Sequence, residues 1–428
     1  MSDKPNILFI CTDQQYAGAM SCAGNDELHT PAMDQLAASG VRFDRAYCTH
    51  PLCAPARSSF VTGLMPHATG VTSNGNPIRQ ELPSRSLGQL LSDAGYSCAL
   101  AGKWHVTGCE PEDCSFDQLC GTNDDHVAAT SADFIQRADR PFLLFASFVN
   151  PHDICQIARS QTLPQGPIED PPSVADCPNL PANFFEPPYG PEILHFVRPH
   201  NPQIYPTVEF SADDWRRLRW GYYRLVEKVD GQIQILLDSL RASGRQRDTL
   251  VLFTSDHGDG HGAHRGNQKT ALWEEEIRVP LIASWQGAIP DGRVEQRLAS
   301  SGLDLLPTIC DYAGVEIPTD LPGRSLRPLL EGGQAETWRS DLVVETQTGI
   351  GDGPGGPPLA RALVGERYKY SVYAMGRWRE QLIDLQADPG EMVNIAVEQR
   401  RAELLQEHRE RLRAWCLETG DEGAKLIP

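Results

Sequence analysis

The chain has 428 residues, with 38 Lys plus Arg against 57 Asp plus Glu, a formal charge of −19. That balance excludes a nucleic-acid binder held by overall positive charge. Hydrophobic residues at 40% and charged residues at 22% give enough apolar material for a large core and exclude disorder over most of the length.

The opening MSDKPNILFICTDQQ carries only a short apolar run, Ile7 to Thr12, stopped by Asp13 and with no basic stretch leading into it, so it does not read as a signal peptide. No run approaches the roughly 18 residues a membrane span requires, since even Pro141 to Asn150 is short and broken by Ser147. These features predict a soluble, cytoplasmic protein without membrane or nucleic-acid partners, in which the twelve cysteines stay reduced.

Asn6 to Cys11, Tyr96 to Ala101, Pro141 to Val149, Thr249 to Thr254 and Val279 to Ser284 are apolar on successive residues and separated by helix-length segments. Such runs are buried strands of a mainly parallel sheet, and the fold class is α/β, a large sheet sandwiched by helices. Four of the runs end just before Asp13, Lys103, His152 and Asp256. Ligands of open α/β sheets sit beyond the carboxyl ends of the strands, which predicts that the four converge; taken singly, each is equally a polar residue opening a loop.

Cys155 to Pro206 holds twelve prolines without clear periodicity and predicts an ordered lid over the strand ends, the alternative being a surface insertion with no part in binding. Ser211 to Leu240 is the clearest helix: Ser211 is a candidate N-cap, Asp213 and Asp214 follow, apolar residues recur at helical spacing from Leu218 to Leu240, and Gly244 marks the end. After Gly323 the pattern changes. Leu342 to Thr346, Arg361 to Val364 and Tyr368 to Tyr373 read as antiparallel strands, Gly349 to Pro358 as a loop tip, and Val397 to Leu417 as a terminal amphipathic helix. The predicted division is a catalytic domain over 1–330, with the insertion at 155–206, and a smaller α+β subdomain over 331–428.

The most informative stretch is PLCAPARSSFVTG, Pro51 to Gly63, which sets Cys53, Pro55 and Arg57 in a CxPxR arrangement followed by Thr62 and Gly63. Here the sequence resembles the formylglycine-dependent sulfatases of the alkaline phosphatase superfamily. Further matches come in the family's order: CTDQQ at Cys11 to Gln15, AGKWH at Ala101 to His105, SDHG at Ser255 to Gly258, KTALWEEEIRVPLI from Lys269, and QLIDLQADPGEMVN ending at Asn394. The resemblance implies that Cys53 is converted to formylglycine by a formylglycine-generating enzyme, and that Asp13, Gln14, Asp256, His257 and a hydroxyl of modified Cys53 bind one divalent metal. Arg57, Lys103 and Lys269 would surround the sulfonyl group.

The residue types suit that chemistry. Attack on a sulfate ester drives negative charge onto oxygens already anionic, so cations must stabilise it. A serine nucleophile would leave a stable alkyl sulfate; a hydrated aldehyde attacks through one hydroxyl and, on deprotonation of the other, expels sulfate by C–O cleavage. His105 is the candidate base for the second step, and His152, in NPHDI, the candidate general acid with Lys269. Gln14 and His257 stand where many relatives carry aspartate and asparagine, and the same pairing appears in choline-sulfatase-like enzymes and phosphonate monoester hydrolases. Calcium is the expected ion, with manganese favoured by the imidazole and magnesium a further alternative.

His261 and His264 are expected to serve the core or support the ligands, and Cys109, Cys114 and Cys120, whose spacing does not match CxxC pairs, are assigned no function. The sequence therefore predicts a sulfuric ester hydrolase acting on a small organic or saccharide sulfate. A phosphonate monoester or phosphodiester hydrolase on the same framework is the alternative. A binding protein with unmodified Cys53 is the reading from another class, against which the full set of candidate ligands and cations weighs.

Overall fold

The computed structural model describes residues 4–171, 173–201, 206–333, 337–349 and 358–428. In chain order its first strands are β1 (Asn6–Asp13), β2 (Gly40–Phe43), β3 (Ala46–Tyr47), β4 (Ser97–Gly102), β5 (Asp117–Cys120) and β6 (Phe142–Pro151). They are followed by β7 (Thr249–Ser255), β8 (Leu281–Ser284), β9 (Arg293–Glu295) and β10 (Ala299–Ser300). Eight of these form one sheet in the order β5-β4-β6-β1-β7-β8-β2-β9, while β3 and β10 pair separately. From β5 across to β7 every pairing is parallel, and only β8 is reversed relative to its neighbours β7 and β2.

The central strand shows why the fold forms. All eight residues of β1 are buried, and alternate side chains feed two cores. Ile7, Phe9 and Cys11 pack with Phe60, Val61, Leu305 and Leu306 on one face; Leu8 and Ile10 pack with Met33, Val127, Tyr222 and Val229 on the other. A strand apolar on both sides is stable only between helical layers, and the helices Cys53–Thr62 and Ser301–Ala313 cover one face while Asp124–Arg137 and Ala212–Ala242 cover the other. The last begins at a capping box in which Ser211 accepts the Asp214 N–H and Asp214 accepts that of Ser211. No described helix is long and apolar enough to cross a membrane.

The strands β11 (Asp341–Gln347), β12 (Leu359–Gly365), β13 (Tyr368–Tyr373) and β14 (Glu380–Asp384) form an antiparallel meander. Val343, Leu363 and Tyr370 face Leu412 and Cys416 of the terminal helix. Leu342, Val344 and Ala362 face the other way, onto Leu272, Trp273, Ile277 and the helix Glu192–His200.

Several expectations change in detail. The Val279–Ser284 run is a strand only from Leu281 and is antiparallel to β7. β14 runs from Glu380 into the QLIDLQ stretch, a strand the sequence does not predict. The terminal helix starts at Ala402, because 395–401 folds as two short 3₁₀ turns. The proline-rich insertion does contain regular structure: Pro191 precedes the helix Glu192–His200 and Pro199 falls in its last turn, so the interval between them is free to wind and to bury Ile193, Leu194 and Val197. Residues 172 and 202–205 of the insertion, and 350–357 of the expected Gly349–Pro358 tip, lie outside the described residues.

Candidate active site

Because β1, β4, β6 and β7 are parallel, their carboxyl ends open on one edge of the sheet, and Asp13, Lys103, His152 and Asp256 lie at or just beyond those ends. Cys53 is the first residue of the helix Cys53–Thr62, with Arg57 one turn further along the same face. The helix opens on Leu52, which offers no side-chain cap, and Asn74 Oδ1 accepts the Ala54 N–H at 3.1 Å instead. It ends at Gly63, whose φ of 69° lets its N–H turn back to Ser59 O, which accounts for the glycine of the motif.

The side chains meet in a buried cluster. Single ligand atoms of Asp13, Cys53, Asp256 and His257 all lie within 4.8 Å of one another. Cys53 Sγ is 3.2 Å from His257 Nε2 and 3.7 Å from Asp13 Oδ1. His257 Nδ1 donates to Gly258 O at 2.8 Å, which leaves the Nε2 lone pair facing the cluster. Gln14 Oε1 borders the same space, accepting from Lys269 Nζ at 2.9 Å, and that ammonium is also 3.0 Å from Cys53 Sγ. Two carboxylates, an imidazole nitrogen and an amide oxygen converging this way fit a divalent cation.

The expected cations divide into two kinds. Arg57 is fully enclosed: Nε donates to Asp256 Oδ2 at 2.8 Å, Nη1 to Lys103 O at 2.9 Å and Ser147 Oγ at 2.8 Å, and Nη2 lies 3.6 Å from Asp13. Its guanidinium braces the site through Nε and Nη1, while Nη2 has no hydrogen-bond partner among the described residues. Lys103 pairs with Asp13 and remains half-buried, and Lys269 faces Cys53. Burial by itself raises the Cys53 thiol, but Lys103, Lys269, His257 and a hydrogen bond from His105 outweigh it and hold the thiol well below its ordinary value. Burial and Cys53 likewise raise Asp13, while Lys103, His152 and Lys269 hold its carboxyl below the usual range. His105 Nδ1 is buried and has no hydrogen-bond partner among the described residues. His152, half-buried, stands close enough to act on the Asp13 charge.

Backbone strain concentrates here. Gln14, His105 and the β-branched Thr270 have φ of 71°, 56° and 84°. Thr270 is clamped between Pro51 O, which accepts its N–H, and Thr346 Oγ1, which donates to its carbonyl, so β11 helps to aim the adjacent Lys269.

His261 and His264 lie outside the cluster. His261 packs among Tyr16, Tyr222 and Tyr223, and His264 stacks on Trp273 at 3.9 Å. His264 does form a second group with Glu275 and Glu391, but Lys369 already supplies a cation there, bonded to Glu391 and to Glu274. Cys109 and Cys114 have their sulfurs 3.9 Å apart, away from the cluster. Sequence reasoning missed Ser147 and Asp259; the signal for Asp259 was an acidic residue set between Gly258 and Gly260 immediately after the Asp256-His257 pair.

A family model described as Sulfatase matches residues 5–315, and one described as N-sulphoglucosamine sulphohydrolase, C-terminal, matches residues 262–417. The chain belongs to the sulfatase family of the alkaline phosphatase superfamily and is a sulfuric ester hydrolase. Among individual proteins, it is 30% identical to a Delta 4,5-hexuronate-2-O-sulfatase of Bacteroides thetaiotaomicron over 99% of this chain and 91% of that protein. The solved structure of a 2-O GAG sulfatase aligns with a TM-score of 0.87 at 27% identity, covering 99% of this chain and 94% of the other. A phosphonate monoester hydrolase of Agrobacterium radiobacter aligns with a TM-score of 0.80 at 24% identity over 97% and 96% of the two chains, a likeness of fold.

Proposed function

We propose that this protein removes sulfate from a saccharide sulfate ester, using a formylglycine made from Cys53 and one divalent cation held by Asp13, Gln14, Asp256 and His257. The observation that carries the proposal is Cys53 at the head of its helix, 3.2 Å from His257 and 3.0 Å from Lys269, inside that ligand set. The saccharide comes from the hexuronate sulfatase relative and from the C-terminal match to a sulphoglucosamine hydrolase.

The modification supplies a hydrated aldehyde, one hydroxyl attacking sulfur and the other, once deprotonated, releasing sulfate. Asp13, Gln14, Asp256 and His257 would hold a divalent cation that would offset the negative charge of the sulfate oxygens; calcium is our first choice, with manganese and magnesium as alternatives. Lys103 and Lys269 flank position 53 and hold the anionic group. Arg57 holds the two carboxylates in place, through its hydrogen bond to Asp256 and its closeness to Asp13. His105, beside Cys53, takes the proton in the second step, and His152 protonates the departing oxygen together with Lys269. We assign catalysis to 1–330 and a supporting role to 331–428, with 155–206 bordering the substrate's approach, since Leu194, Val197 and Arg198 line a small cavity with Lys269.

Two measurements test this reading. The mass of the 51–63 segment from a host with the modifying enzyme reports conversion of Cys53, and rates are then compared on 2-O-sulfated hexuronate saccharides, choline sulfate, aryl sulfate and an aryl phosphonate. A clear preference for the phosphonate selects the second reading, which Gln14 and His257 in the ligand set favour.

A further inference from the structure

The neutral ligand Gln14 poses a problem that the structure answers. A glutamine side chain can turn either end of its amide toward a cation, and only the oxygen is useful there. Gln14 Nε2 donates to Asp259 Oδ2 at 2.6 Å, which leaves Oε1 to accept from Lys269 Nζ, the ammonium that also lies 3.0 Å from Cys53 Sγ and 3.3 Å from His257 Nε2. Asp259 is itself fixed. Its Oδ1 accepts the His261 N–H at 2.7 Å and its Oδ2 the Gln268 N–H at 3.1 Å, and the residue is 2% exposed. It comes from the loop after β7, two residues past His257, so the segment that brings His257 also orients Gln14 from behind. The other near neighbour, Cys155 Sγ, lies 3.6 Å from Nε2 and 3.7 Å from Oε1 and does not discriminate between the two ends.

We infer that Asp259 is the positioning residue of the cation site, selecting the amide orientation of Gln14 that presents oxygen, and that the two residues act as a matched pair. The pair also moves one negative charge outward: where an aspartate ligand would carry it against the ion, here it sits behind a polarised neutral amide. An aspartate at position 14 beside Asp259 would set two buried carboxylates against each other, so each residue type is tolerable only with the other.

Replacing Asp259 with asparagine gives the prediction a sign. Among the described residues, each hydrogen-bond partner of the carboxylate, the Gln14 Nε2 and the N–H groups of His261 and Gln268, is a donor. The new amide must turn its own NH₂ toward one of them. If it faces Gln14, that side chain rotates and points its NH₂ into the cation site.

This inference rests on Gln14 being a ligand, and the experiment separates the two. Binding of Ca²⁺ and Mn²⁺ to metal-free full-length protein is measured calorimetrically, without reference to turnover, for wild type, Asp256→Asn, Asp259→Asn, Gln14→Glu and the exchange Gln14→Glu/Asp259→Asn. Asp259→Asn is expected to weaken binding by about 10- to 100-fold. Gln14→Glu alone faces Asp259 with a second carboxylate and also binds poorly. In the exchange, the asparagine donates to the new carboxylate and most of the loss is recovered, an effect that mere damage to the loop would not produce. Binding by Asp259→Asn equal to wild type, or an exchange no tighter than both single variants, overturns the inference. Should Asp259→Asn fail to fold, the exchange against Gln14→Glu decides it. Unchanged binding in Asp256→Asn would instead overturn the cation site itself.

Discussion

Arg57 joins the two carboxylates of the site from below, 2.8 Å from Asp256 and 3.6 Å from Asp13, with all three side chains sealed from solvent. Burying two anions is tolerable only because this guanidinium, with Lys103, balances them. Arg57→Met keeps much of the volume and removes the charge. It is expected to cost about 3–5 kcal/mol in metal-free protein, the usual penalty for stranding a buried partner. Urea unfolding with and without divalent cation checks this, because an added cation takes over part of the neutralisation and narrows the gap. A loss below about 1 kcal/mol would place the brace elsewhere.

Cys53 has the opposite character. Its side chain is small and stands at a helix terminus, and its close contacts are polar: His257, Lys269 and Asp13. Cys53→Ala is therefore expected to keep the fold, shifting the unfolding midpoint by no more than a surface substitution does, while turnover falls to the detection limit. Circular dichroism and sulfate release on the same preparation check both halves, and a variant that unfolds would contradict a purely chemical role for this side chain.

The parallel sheet was legible because its strands are buried on both faces, and such strands read as unbroken apolar runs. The grouping of the candidate residues was legible where chemistry-bearing types fall at short spacing, as in Cys53 with Arg57 or Asp256 with His257. The direction of β8 was not, since nothing in Leu281–Ser284 distinguishes a parallel from an antiparallel neighbour once both faces are covered. The helix Glu192–His200 was masked by the prolines at its two ends. The sequence shows the charge of Arg57 but not its direction. Only the hydrogen bonds to Asp256, Lys103 O and Ser147 show that it points inward.

Removal of the cation should lower activity and stability together. Without it, Asp13 and Asp256 are left to the charges of neighbouring Arg57, Lys103 and Lys269, and the two lysines would also be needed for the sulfate. Chelation followed by dialysis is expected to lower turnover at least tenfold and to lower the melting temperature, and stepwise return of Ca²⁺ or Mn²⁺ should restore both at the same stoichiometry. Full activity in a preparation shown by elemental analysis to lack metal would remove the cation from the mechanism.

The long helix Ala212–Ala242 gives a stability test remote from the site. Ser211 Oγ caps the Asp214 N–H and the Asp214 carboxylate returns the bond to the Ser211 N–H. Ser211→Ala is expected to cost about 1 kcal/mol by leaving that N–H to water, with kcat and KM unchanged. Denaturant unfolding and steady-state rates provide the check, and altered rates would mean that the start of this helix is coupled to the site.

Asp230, buried in the same helix, gives the protein a pH dependence of definite sign. Its carboxylate accepts the N–H groups of Ala32 and Met33 at 3.0 and 2.9 Å, at the start of the helix Pro31–Ala38. Burial raises its carboxyl more than those bonds lower it, and it titrates at about 6 against an ordinary 3.8. Between those values the folded chain holds a proton that the unfolded chain has released, so this residue's contribution to stability falls as pH rises from about 4 to about 6 and is level above that. Asp230→Asn loses one acceptor at every pH, a constant offset, and removes the titration. Urea unfolding at pH 4, 5, 6 and 7 should therefore show the difference between wild type and variant changing by on the order of 2 kcal/mol across the lower window and no further above pH 7. Other raised carboxyls, Asp124 among them, are common to both proteins and cancel. A difference that stays constant from pH 4 to 7 would mean that Asp230 ionises normally in the fold, with water reaching the carboxylate that the helix start encloses.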